Sequence, residues 1–304
     1  MITTHKQGAL TWVDVENPTI EDVKTLVDKY HVHSIIGEEM LVPTLRAKVD
    51  YYPGHMYLIL HFPTLSQGKK EGHTKEIDFI IGKDFLITAH YEHIPALFSF
   101  VRSFETCSIL ERGCGFDHAG ALFFYMVREL YKDVESGIDS IARKMKDVEE
   151  NVFRGREGQM VTHISSIGRE ILHFKEATRF HKEVLESYAV AGKKMFGIEY
   201  ESYAESLLGD YYKVWNIIEN QKDLLGELRD TNDSLLSFKS NDVMKTLTVV
   251  AFIVLPMTLV SQIFSMGVRE LPLSDNPYAF YIILLFMILI GVLSYAYFRF
   301  KKWL

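Results

Sequence analysis

Two cysteines, Cys107 and Cys114, are all that 304 residues contain, and their spacing forms no CxxC pair and no zinc framework. That scarcity fits a reducing compartment, with both thiols read as small core or boundary residues. Residues Met1 to Thr19 hold charges and a proline and have no continuous apolar core. No signal peptide is therefore expected, and the soluble part is expected to stay in the cytosol. There is no excess of positive charge either: 33 Lys and Arg against 40 Asp and Glu give a net charge of -7, which argues against a nucleic-acid partner. GxSxG, P-loop, GxGxxG and HExxH patterns are all missing. A hydrolase, a nucleotide enzyme or a metalloprotease is thus excluded as a reading, and no catalytic cofactor is expected.

What the chain does have is a long uncharged run. Thr246 through Val268 contains no Asp, Glu, Lys or Arg, and such a length reads as a transmembrane helix. Steps of three and four through this region pick out Asn241, Met244, Thr248, Ala251, Leu255, Thr258, Gln262 and Ser265. Six of these eight are small or polar, whereas Val249, Val250, Phe252, Ile253, Val254, Leu259, Val260, Ile263 and Phe264 lie off the seam. Two explanations fit. Small and hydroxylated residues at this spacing serve close helix packing in a membrane. Alternatively, copies of the helix surround a pore, and Thr258, Gln262 and Ser265 offer oxygens to an ion. Pro256 frees the carbonyl of Phe252, which suits a bent pore helix without requiring one.

The N-terminal part, 1–117, reads as a cytosolic α/β domain. Ala9 to Val15 alternates like a strand, and Thr19 caps a helix to about Tyr30. Further strands are expected over 46–50, 56–62, 76–81 and 85–90, with turns at Pro53-Gly54, Gln67-Gly68 and Gly82-Lys83. Twelve histidines raise the question of a metal site. His31 and His33 would point the same way on a strand, and His90 and His93 flank a strand end. Each pair supplies two imidazoles rather than four ligands, so ordinary surface or boundary histidines are the simpler reading.

From His118 the period changes. Leu122, Met126, Leu130, Val134, Ile138, Ile141, Met145, Val148 and Val152 form one helical stripe among charges. Gly155 and Gly158 interrupt it, and a second helix through Ile164, Ile167, Ile171 and Phe174 is expected to reach about Leu185, making 118–198 a helical hairpin. A stalk helix from Glu199 would run without a break into the first span, together 199–268. Its polar section carries ten acids against five bases, which would form a negative vestibule if repeated about an axis. A short loop, 269–277, precedes a second span and basic C-terminus, 278–304. Lys239, Lys245, Arg299 and Lys301 place both long ends in the cytoplasm of a multi-pass protein of the cell (inner) membrane. Two spans per chain cannot enclose a hydrated path, so a conducting form must be an oligomer.

The stretch Asn241-Asp242-Val243-Met244-Lys245-Thr246-Leu247-Thr248, the Pro256-Met257-Thr258 step, the two C-terminal spans and the Lys301-Lys302-Trp303-Leu304 ending resemble the CorA superfamily of magnesium and divalent-cation transporters. The likeness covers the whole chain. It implies a funnel-shaped homopentamer in membrane lipid, with the first span lining a pore closed by cytosolic magnesium. In a pore built this way, Asn241 is expected at the cytosolic exit, Leu255 with Met244 as an apolar constriction, and Thr258 and Gln262 as ion-facing oxygens. The family's Gly-Met-Asn is Ser265-Met266-Gly267 here, so the ring of amides that holds hydrated Mg2+ is lacking. A ring of Gln262 amides either takes over that hydrogen bonding or plugs the path. Glu270, Asp275 and Asn276 are candidates for the outer mouth, and Glu205 and Asp210 for regulatory metal. Magnesium uptake is the leading expectation. Transport of zinc or another divalent ion, proton-coupled or not, and a non-conducting scaffold are the alternatives.

Overall fold

The computed structural model describes residues 2–44, 46–65, 73–109, 116–266, 277–301 and 303. They fall into two compact units, Met1–Arg229 and Asp230–Leu304.

The first unit is built on a six-stranded sheet: β1 (Ile2–Gln7), β2 (Leu10–Glu16), β3 (Lys48–Tyr52), β4 (His55–Pro63), β5 (Thr74–Gly82) and β6 (Phe85–His90). Its order is β1-β2-β6-β5-β4-β3, antiparallel except where β2 lies parallel to β6. The central strands β4 and β5 are buried at nearly every position because both sheet faces are covered. On one face Val13, Val15, Tyr57, Ile59, Ile80 and Ile87 pack with Val23, Leu26, Ile36 and Met40. These last four come from α1 (Ile20–Tyr30), α2 (Ser34–Glu39) and the residues beside them. On the other face Trp12 meets Phe100 and Phe104 of α3 (Pro95–Ile109), and Phe79 meets Phe123 of α4 (Ala119–Phe153).

Local chemistry sets the ends. Thr19 caps α1 in a reciprocal box, its hydroxyl accepting from Asp22 N at 3.2 Å and its N–H donating to Asp22 Oδ2 at 3.1 Å. Two details depart from expectation. Strand β1 was not legible, since ITTHKQ is polar; it adds an edge to β2 across a turn where Gly8 has φ +57°. His31 and His33 are not on a strand. His31 ends α1 at φ 52°, and His33 caps α2 by accepting from Ile35 N at 3.3 Å, so the pair does not share a face.

The stripe on α4 is buried along its whole length. The next helix is two helices rather than one: α5 (Glu157–Thr178) and α6 (His181–Phe196). The break falls where His181 is drawn into the core. Its ring is fully buried; Tyr131 Oη donates to Nδ1 at 2.9 Å, and Nε2–H donates to the His61 carbonyl at 2.8 Å. Helix α7 (Glu201–Ser265) follows a single 3-10 turn, Ile198–Tyr200. Tyr200 ties this start to α4 by donating to the Gly120 carbonyl at 2.8 Å. A Cβ on Gly120 or Gly192 would sit within 2.7 Å of that ring, so both positions need glycine.

Burial pushes the His181 imidazole down to about 4 from an ordinary 6.5. The unfolded chain then binds the extra proton first, so this histidine's contribution is complete above pH 6.5 and is lost as pH falls toward 4. That difference amounts to on the order of 3 kcal/mol. Thermal unfolding followed by circular dichroism should show a shallower acid slope in His181→Gln than in the wild type; identical slopes would contradict the assignment.

Candidate ion pathway

The second unit contains the apolar part of α7 and α8 (Ala279–Phe300). Both helices are long and apolar enough to cross a membrane. At 3.6 residues per turn, Val249, Ile253, Pro256, Met257, Val260 and Phe264 share one face of α7. Val249 is 1% exposed and the other five are half-buried. Helix α8 turns Ile283, Met287, Ile290, Gly291, Ser294 and Phe298 inward, all half-buried. Contact is direct: a Cβ on Gly291 would lie 3.3 Å from Met257 Sδ, and the Phe252 and Phe298 rings are 6.0 Å apart.

The polar seam lies roughly 160° round the helix from that face. Asn241, Met244, Ala251, Leu255, Thr258, Gln262 and Ser265 are exposed, Leu255 at 64%, while Thr248 is half-buried. Leu247 and Leu259, outside the periodic series, are exposed on the same side at 62% and 60%.

The two threonines carry a chemical detail. Thr248 Oγ1 donates to the Met244 carbonyl at 2.7 Å, and Thr258 Oγ1 donates to the Val254 carbonyl at 2.9 Å. Each hydroxyl proton is spent on the helix, so what remains on the seam is an oxygen that can only accept. Such an oxygen complements the outward hydrogens of water bound to a cation. Helix α7 continues through Pro256, whose missing N–H leaves the Phe252 carbonyl without its usual partner.

The other candidates are dispersed. Helix α7 ends at Ser265, and Met266 N donates to the Ile263 carbonyl at 3.4 Å. Gly267, Glu270, Asp275 and Asn276 lie outside the described residues. Glu205 is exposed, and Asp210 is half-buried 3.3 Å from Arg128 Nε. Five positions apart on a helix, these two point roughly 140° from each other. His90 is occupied structurally: its Nε2 lies 3.3 Å from Asp14 Oδ2 and its Nδ1 2.7 Å from the Glu92 carbonyl. Among the described residues no three His, Cys, Asp or Glu side chains converge to hold a metal.

An α/β unit, a helix that leaves it and becomes an apolar span, and a second apolar helix at the C-terminus define a two-span membrane transporter fold. The family described as CorA-like Mg2+ transporter protein matches residues 7–302, and the chain belongs to it. The chain is 22% identical over 293 residues to the putative metal ion transporter YfjQ of Bacillus subtilis, covering 96% of this chain and 89% of that one. It is 23% identical to the cobalt/magnesium transport protein CorA of Thermotoga maritima, covering 97% and 83%. The solved structure of the CorA magnesium transporter from Methanocaldococcus jannaschii superposes with a TM-score of 0.85 at 19% identity, covering 97% of this chain and 92% of that one.

The α7–α8 contact has a direct test. Gly291→Leu should drive its side chain into Met257 and cost about 1–3 kcal/mol of overpacking. Lowered melting in detergent would be the sign, and an unchanged melting temperature would mean that the helices do not pack at this point.

Proposed function

We propose that this chain forms a homopentameric channel for divalent cations, magnesium first, with the seam of α7 facing the ion. The observation that carries this reading is the polar face left exposed opposite α8. In hydrocarbon, such a row of hydroxyl and amide groups is costly unless it faces protein or water. Copies of α7 round an axis give it water. Membership of a transporter family supports the same conclusion, as do the magnesium and cobalt named for the relatives.

In this arrangement Asn241 stands at the cytosolic exit, and Met244, Leu247 and Leu255 form apolar rings that close the path by dewetting. Thr248 and Thr258 accept hydrogen bonds from the water shell of a cation that is not stripped of it, which matches the reluctance of Mg2+ to dehydrate. At the outer end Gly267 has no amide to offer. Gln262, five residues earlier in the chain, presents a side-chain carbonyl, and Glu270, Asp275 and Asn276 add charge or polarity at the mouth. Glu205 and Asp210 are the candidate positions for regulatory metal. Lys239 and Lys245 before the first span, with Arg299 and Lys301 after the second, set both termini in the cytoplasm of the cell membrane. A second reading, transport of zinc or another divalent ion, is favoured by the glycine at 267.

Reconstituted liposomes decide between these. Magnesium entry without a proton gradient supports the first reading. Zinc entry steepened by a gradient moves the assignment to the second, and no flux from a folded pentamer contradicts both. Leu255→Ala should raise basal flux, by roughly fivefold for each 1 kcal/mol removed from the barrier. Gln262→Ala should reorder the series magnesium, cobalt, nickel and zinc; an identical series would remove Gln262 from the selecting ring.

A further inference from the structure

Strand β5 buries two acids on one face. Glu76 and Asp78, two residues apart, are 7% and 1% exposed, on the side of the sheet covered by α1 and α2. Across the ladder Glu76 sits opposite His61, and Asp78 lies between Ile59 and Ala89. A carboxylate placed between two aliphatic residues without a cation is expensive.

Two of the four carboxyl oxygens have partners. Glu76 Oε2 accepts from Thr44 N at 2.7 Å and lies 3.4 Å from His61 Nε2, whose own short contact is the Thr44 carbonyl at 2.8 Å. Asp78 Oδ2 accepts from Tyr57 Oη at 3.1 Å. Glu76 Oε1 and Asp78 Oδ1 are buried and have no partner. The two carboxyl groups are within hydrogen-bonding reach of each other. Two acceptors facing one another repel, whereas a carboxylic acid facing a carboxylate attracts.

We propose that Glu76 and Asp78 form a proton-binding site, in which a single proton carried by Asp78 bridges the two carboxyl groups and supplies the donor that both orphaned oxygens lack. Among the described residues no lysine or arginine does this work, and the His61 imidazole reaches only Glu76 Oε2. Lys48 of β3 is held between Glu39 and Asp50, at 2.6 and 2.8 Å, and lies over the ring of Tyr57. Lys75 Nζ donates to the His93 carbonyl at 2.5 Å. Tyr91 Oη donates to the Met40 carbonyl at 3.3 Å and also stands within hydrogen-bonding reach of Asp78. Glu39 on α2 adds further negative charge. A cavity of about 270 Å³ lined by Glu76, His61, Tyr91, Glu92 and Glu176 reaches the Glu76 side of the pair, and Asp78 lies behind it.

Burial, followed by the charge of Glu76, holds the Asp78 carboxyl well above the ordinary carboxylate range. Between the value in the unfolded chain and this raised value, the folded protein binds the extra proton. The contribution to stability is complete at low pH and is lost as pH rises through the folded value. Alkalinisation on the side of the membrane that holds the sheet would therefore put two like charges in the core and strain the grip of Glu76 on Thr44.

Infrared difference spectroscopy on the full-length protein in detergent tests this. The wild type should show a carbonyl stretch from a protonated buried carboxyl at neutral pH, lost on alkalinisation. The band should be missing in Asp78→Asn and intact in the exposed control Glu92→Gln. A folded wild type without the band, or a band undiminished in Asp78→Asn, overturns the proposal. Because the Asn amide is a permanent donor to Glu76, Asp78→Asn should also flatten the alkaline fall in melting temperature; an unchanged slope counts against the site. Should that variant fail to fold, Glu76→Gln removes the neighbouring charge and must shift loss of the band to lower pH, and no shift again overturns the pair.

Discussion

A helix that must live in hydrocarbon carries a row of hydroxyl and amide groups, and that conflict governs the rest of the molecule. Apolar side chains satisfy lipid, yet Thr258, Gln262 and Ser265 do not, and a lone copy of α7 leaves them exposed. Helix α8 does not relieve the conflict, because it occupies the opposite face through Val249, Met257 and their neighbours. In the proposed channel, association of copies does. The same step that hides the polar seam from lipid gives it an axis, and a seam round an axis is a path. The threonines are already prepared for that role, since their protons are bonded to backbone carbonyls and only acceptor oxygens remain.

The soluble unit has a different task, which is to hold the start of α7 in a defined place. The joint is built from aromatic rings: Tyr200 enters between Gly120 of α4 and Gly192 of α6, lies tilted against Phe196 and donates to a backbone carbonyl. His181, locked between Tyr131 and the carbonyl of His61, ties α4 and α6 to β4. Each of these joints fixes one helix against a sheet whose central strands are covered on both faces. Glu76 and Asp78 are the two acids of one strand buried in that interior, each with one oxygen left without a partner among the described residues.

Much of this was legible in the residues. The stripe from Leu122 to Val152, the Thr19 cap, strands β4 to β6 and the two spans follow from period, turn chemistry and length, which are local properties. What escaped is nonlocal. Strand β1 has no apolar face and exists because β2 offers it a partner. The break between α5 and α6 comes from a histidine pulled inward by groups fifty and more residues away. His31 and His33 looked like a strand pair only because nothing local announces that one ends a helix and the other caps the next. In the candidate pathway, period picks out the polar seam, whereas the face that packs on α8 becomes visible only in the fold. The displaced signature, Ser265-Met266-Gly267, was plain in the sequence, but its consequence depends on neighbouring copies.

The measurement that bears most directly on the account is cysteine accessibility along α7 in reconstituted, transporting protein, with Cys107 and Cys114 replaced by serine. The account predicts that Thr258→Cys, Gln262→Cys and Ser265→Cys react with a charged, water-soluble thiol reagent and lose flux. Ile253→Cys and Val260→Cys should remain unreactive. Equal reactivity on both faces, or modification confined to the face that packs on α8, would contradict a pore lined by the seam.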